Sequence, residues 1–117
     1  MRLTEIAFDG PTPIDGYGPG FFRFAGKVHE GPLLLLPGGS KPWRGLDDLD
    51  AILAAKDEID VVFFGMGAEI APLPGTLRRA LEEAEIGVEI MASPAACRTY
   101  NILLAEGRRI AAALLPV

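Results

Sequence analysis

One cysteine and one histidine occur among 117 residues. A single cysteine cannot close an internal disulfide, so a reducing compartment is the simple expectation. Cys97 and His29 together are also too few soft ligands for a zinc site. Basic residues are in short supply. Eleven Lys and Arg face sixteen Asp and Glu, a net charge of −5, and no long basic run occurs. That balance argues against nucleic-acid binding through the phosphate backbone. No apolar run is long enough to cross a bilayer as a helix, so no direct membrane insertion is expected. The opening residues, MRLTEIAFDG, carry acids too early for a secretory signal and lack a continuous apolar core. These features set the expectation of a cytoplasmic protein. Repeats, low-complexity tracts and interdomain linkers are missing too, so residues 1–117 read as one domain.

What is present is a globular composition, 50% apolar and 23% charged, with enough chain to bury roughly two-thirds of its unfolded surface. Leu3 to Phe8 has the pattern of a first strand. Asp9 to Gly20, rich in glycine and proline, reads as a structured loop. Phe21 to Phe24 and Lys27 to His29 read as antiparallel strands around a turn at Ala25-Gly26. Leu33 to Leu36, Val61 to Phe64 and Ile110 to Leu115 are unalternating apolar runs, suited to strands buried on both faces. Leu46, Leu49, Ile52 and Leu53 share one helical face. Leu77, Ala80, Leu81 and Ala84 share another, which Gly87 is expected to end. Val88 to Met91 is a strand. A last helix opens with Ser93 as N-cap and Pro94 in its first turn, and stops at Gly107. The expected fold is α/β and three-layered. A mixed central sheet has antiparallel N-terminal strands and an α-β-α-β-α-β C-terminal part.

Tyr17-Gly18 before Phe22 and Phe24, Trp43, Gly65-Met66-Gly67, Pro74, Gly87, Met91, Ala95-Ala96, Thr99-Tyr100-Asn101 and Glu106-Gly107-Arg108 follow one another in a suggestive order. This ordered set resembles a small α/β domain family of bacteria and archaea. The family also includes the mitochondrial respiratory complex I assembly factor 3 and an adipogenesis-associated human protein. The resemblance spans nearly the whole chain. It implies a three-layer α/β fold, no established reaction and a role in helping a membrane respiratory complex assemble. Met66 stands where the family more commonly has threonine.

Two kinds of candidate site follow. In parallel sheets, ligands bind beyond the carboxyl ends of the strands. Gly38, Gly39, Gly65, Gly67 and Ser93 are the candidate lining of such a crevice, for a small molecule or an anion at a helix start. Gly65-Met66-Gly67 is not a dinucleotide fingerprint, because Ile70 replaces its third glycine and Pro72 interrupts the helix. No Gly-Lys-Ser or Gly-Lys-Thr follows either, so no cofactor is expected. Cys97 falls on an apolar helix face, the place of a structural thiol. Asp15, Glu69 and Glu106 read as turn or surface acids. No catalytic residue is assigned. The second candidate is a partner surface of Trp43, Arg44, Arg98 and Ile102, since tryptophan and arginine dominate binding hot spots. The favoured reading is a non-enzymatic protein-binding factor. The alternative is a ligand-binding protein or small enzyme using the strand-end crevice.

Overall fold

The computed structural model describes residues 12–117; the strand expected at Leu3 to Phe8 lies outside them. The described residues form two sheets. A three-stranded antiparallel meander joins β1 (Ile14–Gly18), β2 (Phe21–Phe24) and β3 (Lys27–Glu30). A five-stranded sheet has the order β5-β4-β8-β6-β7, from β4 (Leu33–Leu36), β5 (Gly39–Lys41), β6 (Val61–Met66), β7 (Gly87–Met91) and β8 (Ile110–Leu115). Strands β6, β7 and β8 are parallel, while β4 runs antiparallel to both β8 and β5. Helices α1 (Asp50–Ala54), α2 (Gly75–Glu83) and α3 (Ser93–Ala105) connect the second half.

The apolar runs divide between two cores by simple alternation. Leu34, Leu36, Val62, Phe64, Ala111 and Ala113 face α1 and α2. Leu33, Leu35, Phe63, Ala112 and Leu114 face α3 and the small sheet, where Ile14, Phe22, Ala96, Cys97 and Tyr100 complete the packing. The molecule is therefore three-layered. The central strand β8 carries alanines where its neighbours carry large groups. Ala112 sits between Leu35 and Phe63, and Ala113 between Leu34 and Phe64. Small beside large lets the sheet fill both faces without voids.

Turn chemistry sets the connections. Ala25 and Gly26 both have positive φ, 53° and 73°, as a two-residue hairpin of the right twist requires. Helix α3 ends in a Schellman motif. The Gly107 N–H bonds to Leu104 O, and the Arg108 N–H bonds to Leu103 O.

Four local expectations need correction. Residues Ile14–Gly18 form a strand within the segment read as loop. Its Gly18 has no side chain to pack, but the Phe21 ring fills that place; a Cβ there would strike the ring. Helix α1 is only five residues long. Upstream, the Asp48 N–H bonds to Gly45 O and its carboxylate accepts the Arg44 N–H, local bonds that compete with a helical turn. Helix α2 ends at Glu83; just past its C-cap Ala84, Glu85 takes φ 62°, with Ile86 N–H on Leu81 O. Gly87 instead opens β7, where a Cβ would come within 3.0 Å of Asp60 O. Finally, Ala92 is the N-cap of α3, and Ser93 is its first helical residue.

Candidate functional site

Ser93 is not capping its own helix because its hydroxyl is committed elsewhere. The Gly67 N–H donates to Ser93 Oγ at 2.9 Å, and the Ser93 hydroxyl donates to Leu115 O at 2.6 Å. The Ser93 N–H returns a bond to Gly67 O at 2.7 Å. One side chain thus ties together the ends of β6 and β8 and the start of α3. Ser93 is only 1% exposed. Gly65 is the other half of this joint. A Cβ there would lie 2.7 Å from Ser93 Oγ, 2.9 Å from Ser93 Cα and 2.8 Å from Leu114 Cδ2. Gly67 takes φ 96°, a conformation that favours glycine.

The expected crevice is therefore only partly assembled. Gly65, Gly67 and Ser93 meet, and they pack against one another. Gly38 and Gly39 do not join them. Because β4 is antiparallel to β8, Leu33 lies beside Leu114 and the β4–β5 turn falls at the opposite rim. The separation is about five residues of strand, roughly 15 Å.

The partner candidates separate as well. Trp43 is a correction: it is 6% exposed, sits in the core under α1 and α2, and donates its Nε1–H to Asp48 O at 2.8 Å. A loop tryptophan is buried here because its loop folds back to satisfy the indole. Arg44 stays largely exposed and pairs with Asp48 within the same loop, Nε to Oδ2 at 3.5 Å. Arg98 and Ile102 lie on α3, across the sheet from Trp43. Both are exposed, Ile102 to 60%. Being four apart they share one helical face.

Beneath that face, Asn101 holds β1 to α3. It accepts the Ile14 N–H on Oδ1 and donates Nδ2–H to Ile14 O, each at 2.8 Å. The reciprocal pair mimics a strand partner and fixes the amide orientation. Tyr100 is buried and donates a long 3.5 Å bond to Thr12 O. Burial pushes its phenol up to about 12. Burial also pushes the Cys97 thiol up to about 11, outweighing the opposing influence of Arg98. At neutral pH Cys97 is a protonated, packed thiol and a poor nucleophile. His29 Nε2 bonds Pro32 O at 2.9 Å. Among the described residues no cluster of three or more His, Cys, Asp or Glu is placed to hold a metal ion. Among them, too, no helix is long and apolar enough to cross a membrane.

The layers and joints define a small three-layer α/β domain whose best-formed polar constellations, at Ser93 and Asn101, hold its own elements together. The chain belongs to the family described as "Protein of unknown function (DUF498/DUF598)", whose model matches residues 14–115. An uncharacterized protein of Rhodobacter capsulatus is 51% identical over 117 residues, covering 100% of this chain and 94% of that protein. The NADH dehydrogenase (ubiquinone) 1 alpha subcomplex assembly factor 3 of Danio rerio is 31% identical over 123 residues, covering 99% of this chain and 71% of that protein. A crystal structure described as an outer membrane protein from Bartonella henselae matches at a TM-score of 0.85 and 40% identity, covering 92% of this chain and 97% of that chain.

Proposed function

We propose that this domain is a cytoplasmic protein-binding factor that helps assemble a membrane respiratory complex, with the outer face of α3 as its docking surface. The observation that carries this reading is the similarity, across 99% of the chain, to a protein named as a complex I assembly factor. The fold supports this choice of surface. The inner face of α3 is spent on Ala96, Cys97 and Tyr100, and Asn101 is spent on β1. Arg98 and Ile102 remain available, one a planar cation and the other a large apolar group in water. Arginine is among the residue types that dominate binding hot spots, and Ile102 on the same helical face adds an apolar group beside it.

Ile102→Asp tests the proposal in the native organism. The residue contributes little to the core, so the melting temperature should move by no more than about 3 °C. A carboxylate buried in an apolar contact should weaken binding by roughly thirtyfold, the size of a hot-spot loss. Affinity purification of the variant should then lose the proteins that accompany the parent. Retention of the same set by a folded variant would contradict the proposed surface.

A further inference from the structure

A cleft of about 320 Å³ opens between β3 and the β4–β5 hairpin, lined by Phe24, Lys27, His29, Gly39 and Ser40 among others. Its volume is at the lower end of the range for small-molecule sites. Strand register explains why polar groups converge on it. Lys27 pairs with Phe24 and His29 with Phe22, and Phe22 and Phe24 pack into the core beneath the small sheet. Lys27 and His29 therefore stand on that same inner face. Ser40 pairs with Leu35, which faces the small sheet, so its hydroxyl stands on that side too.

The chemistry of the lining has one sign. Among the described residues that line it are an ammonium, an imidazole and the hydroxyls of Thr12 and Ser40, and no carboxylate, in a protein of net charge −5. Among the described residues Lys27 has no ion-pair partner. The imidazole is held in place. Pro32 O can only accept, so Nε2 carries the proton of their 2.9 Å bond. The ring leans on Phe24, with centroids 6.2 Å apart and planes at 47°. The two rings, tilted to one another, line the same cleft as the Lys27 ammonium.

We propose that this cleft binds a small organic anion that joins a carboxylate, or a similar anionic oxygen group, to a flat apolar body. Lys27 supplies the charge, Ser40 a hydrogen bond, and the Phe24 ring the apolar contact, with the His29 imidazole tilted beside it. The site is separate from the α3 face and does not depend on the protein-binding proposal.

Titration of the 15N-labelled chain with sodium benzoate, followed by amide chemical shifts, tests the site. Saturable shifts are expected at Lys27, His29 and Ser40. Benzyl alcohol, similar in shape but uncharged, should bind at least about tenfold more weakly, as should benzoate to Lys27→Gln. Lys27 is exposed, and the amide spectrum itself reports whether the variant is folded. The proposal is overturned if the shifts do not saturate or are scattered over the surface. It is equally overturned if benzyl alcohol binds as well as benzoate, or if Lys27→Gln binds benzoate with parental affinity.

Discussion

Gly65→Ala is expected to cost about 4 kcal/mol, near the upper end for a single substitution. The new methyl has nowhere to go. Its closest obstacles include Ser93 Cα at 2.9 Å, a backbone atom that cannot swing aside. Relief requires α3 to move, and α3 is tethered at that point by all three Ser93 bonds. Overpacking alone costs about 1–3 kcal/mol. The remainder comes from the Gly67 N–H and the Leu115 carbonyl, which lose a partner in or near the interior. For a domain of this size the melting temperature should fall by roughly 20 °C. Ser93→Ala removes the nearest obstacle, Oγ, so adding it to Gly65→Ala should cost less than the two single costs combined. A Gly65→Ala protein that melts with the parent would mean the strand ends are open and would return the crevice to consideration.

Asn101→Leu should have the second largest effect, about 3 kcal/mol. Leucine matches the shape of asparagine but offers no hydrogen bonds. Both the N–H and the C=O of Ile14 would lose partners at a half-buried seam. The loss is local in origin, because these two bonds hold β1 against α3. Hydrogen exchange at Ile14 should therefore accelerate more than at β6 or β8. Asn101→Asp, which keeps an acceptor and loses the donor, should fall between parent and leucine variant. Equal protection at Ile14 in parent and leucine variant would show that β1 is held by apolar packing alone.

Much of this architecture is legible in the chain, for physical reasons that also explain the failures. Leu33 to Leu36, Val61 to Phe64 and Ile110 to Leu115 announce themselves because burial on both faces demands continuous apolarity. The Ala25-Gly26 hairpin and the Gly107 stop are readable because only a few residues tolerate those backbone angles. Strand β1 is hidden because two of its residues are glycines, and the ring that covers Gly18 comes from the next strand.

The candidate sites were harder to read for a related reason. Gly38 and Gly39 look like partners of Gly65 only if β4 is parallel to β6, and strand direction is a property of the assembled sheet. Ser93 has the right type and place for a cap, yet its hydroxyl finds tertiary partners 22 and 26 residues away. Trp43 looked exposed because it lies in a loop. Its indole bond to Asp48 O, five residues on, is what lets it enter the core. Helical periodicity sets Asn101 at the inner edge of α3 and Ile102 on its outer face, as their burial shows. The pairing of Lys27 and His29 with Ser40 across two sheets had no signal within any local window.

The central proposal is that the outer face of α3 carries a protein partner, while the exposed loop around Arg44, on the other side of the sheet, does not. Site-specific photocrosslinking in the native organism tests it most directly. A photoreactive residue is placed either at Ile102 or at Arg44, both exposed and on different elements. Position 102 is expected to yield a discrete crosslinked band containing a component of a membrane respiratory complex, and position 44 to yield none. Crosslinks from position 44 to such a component, with position 102 silent, would contradict the claim.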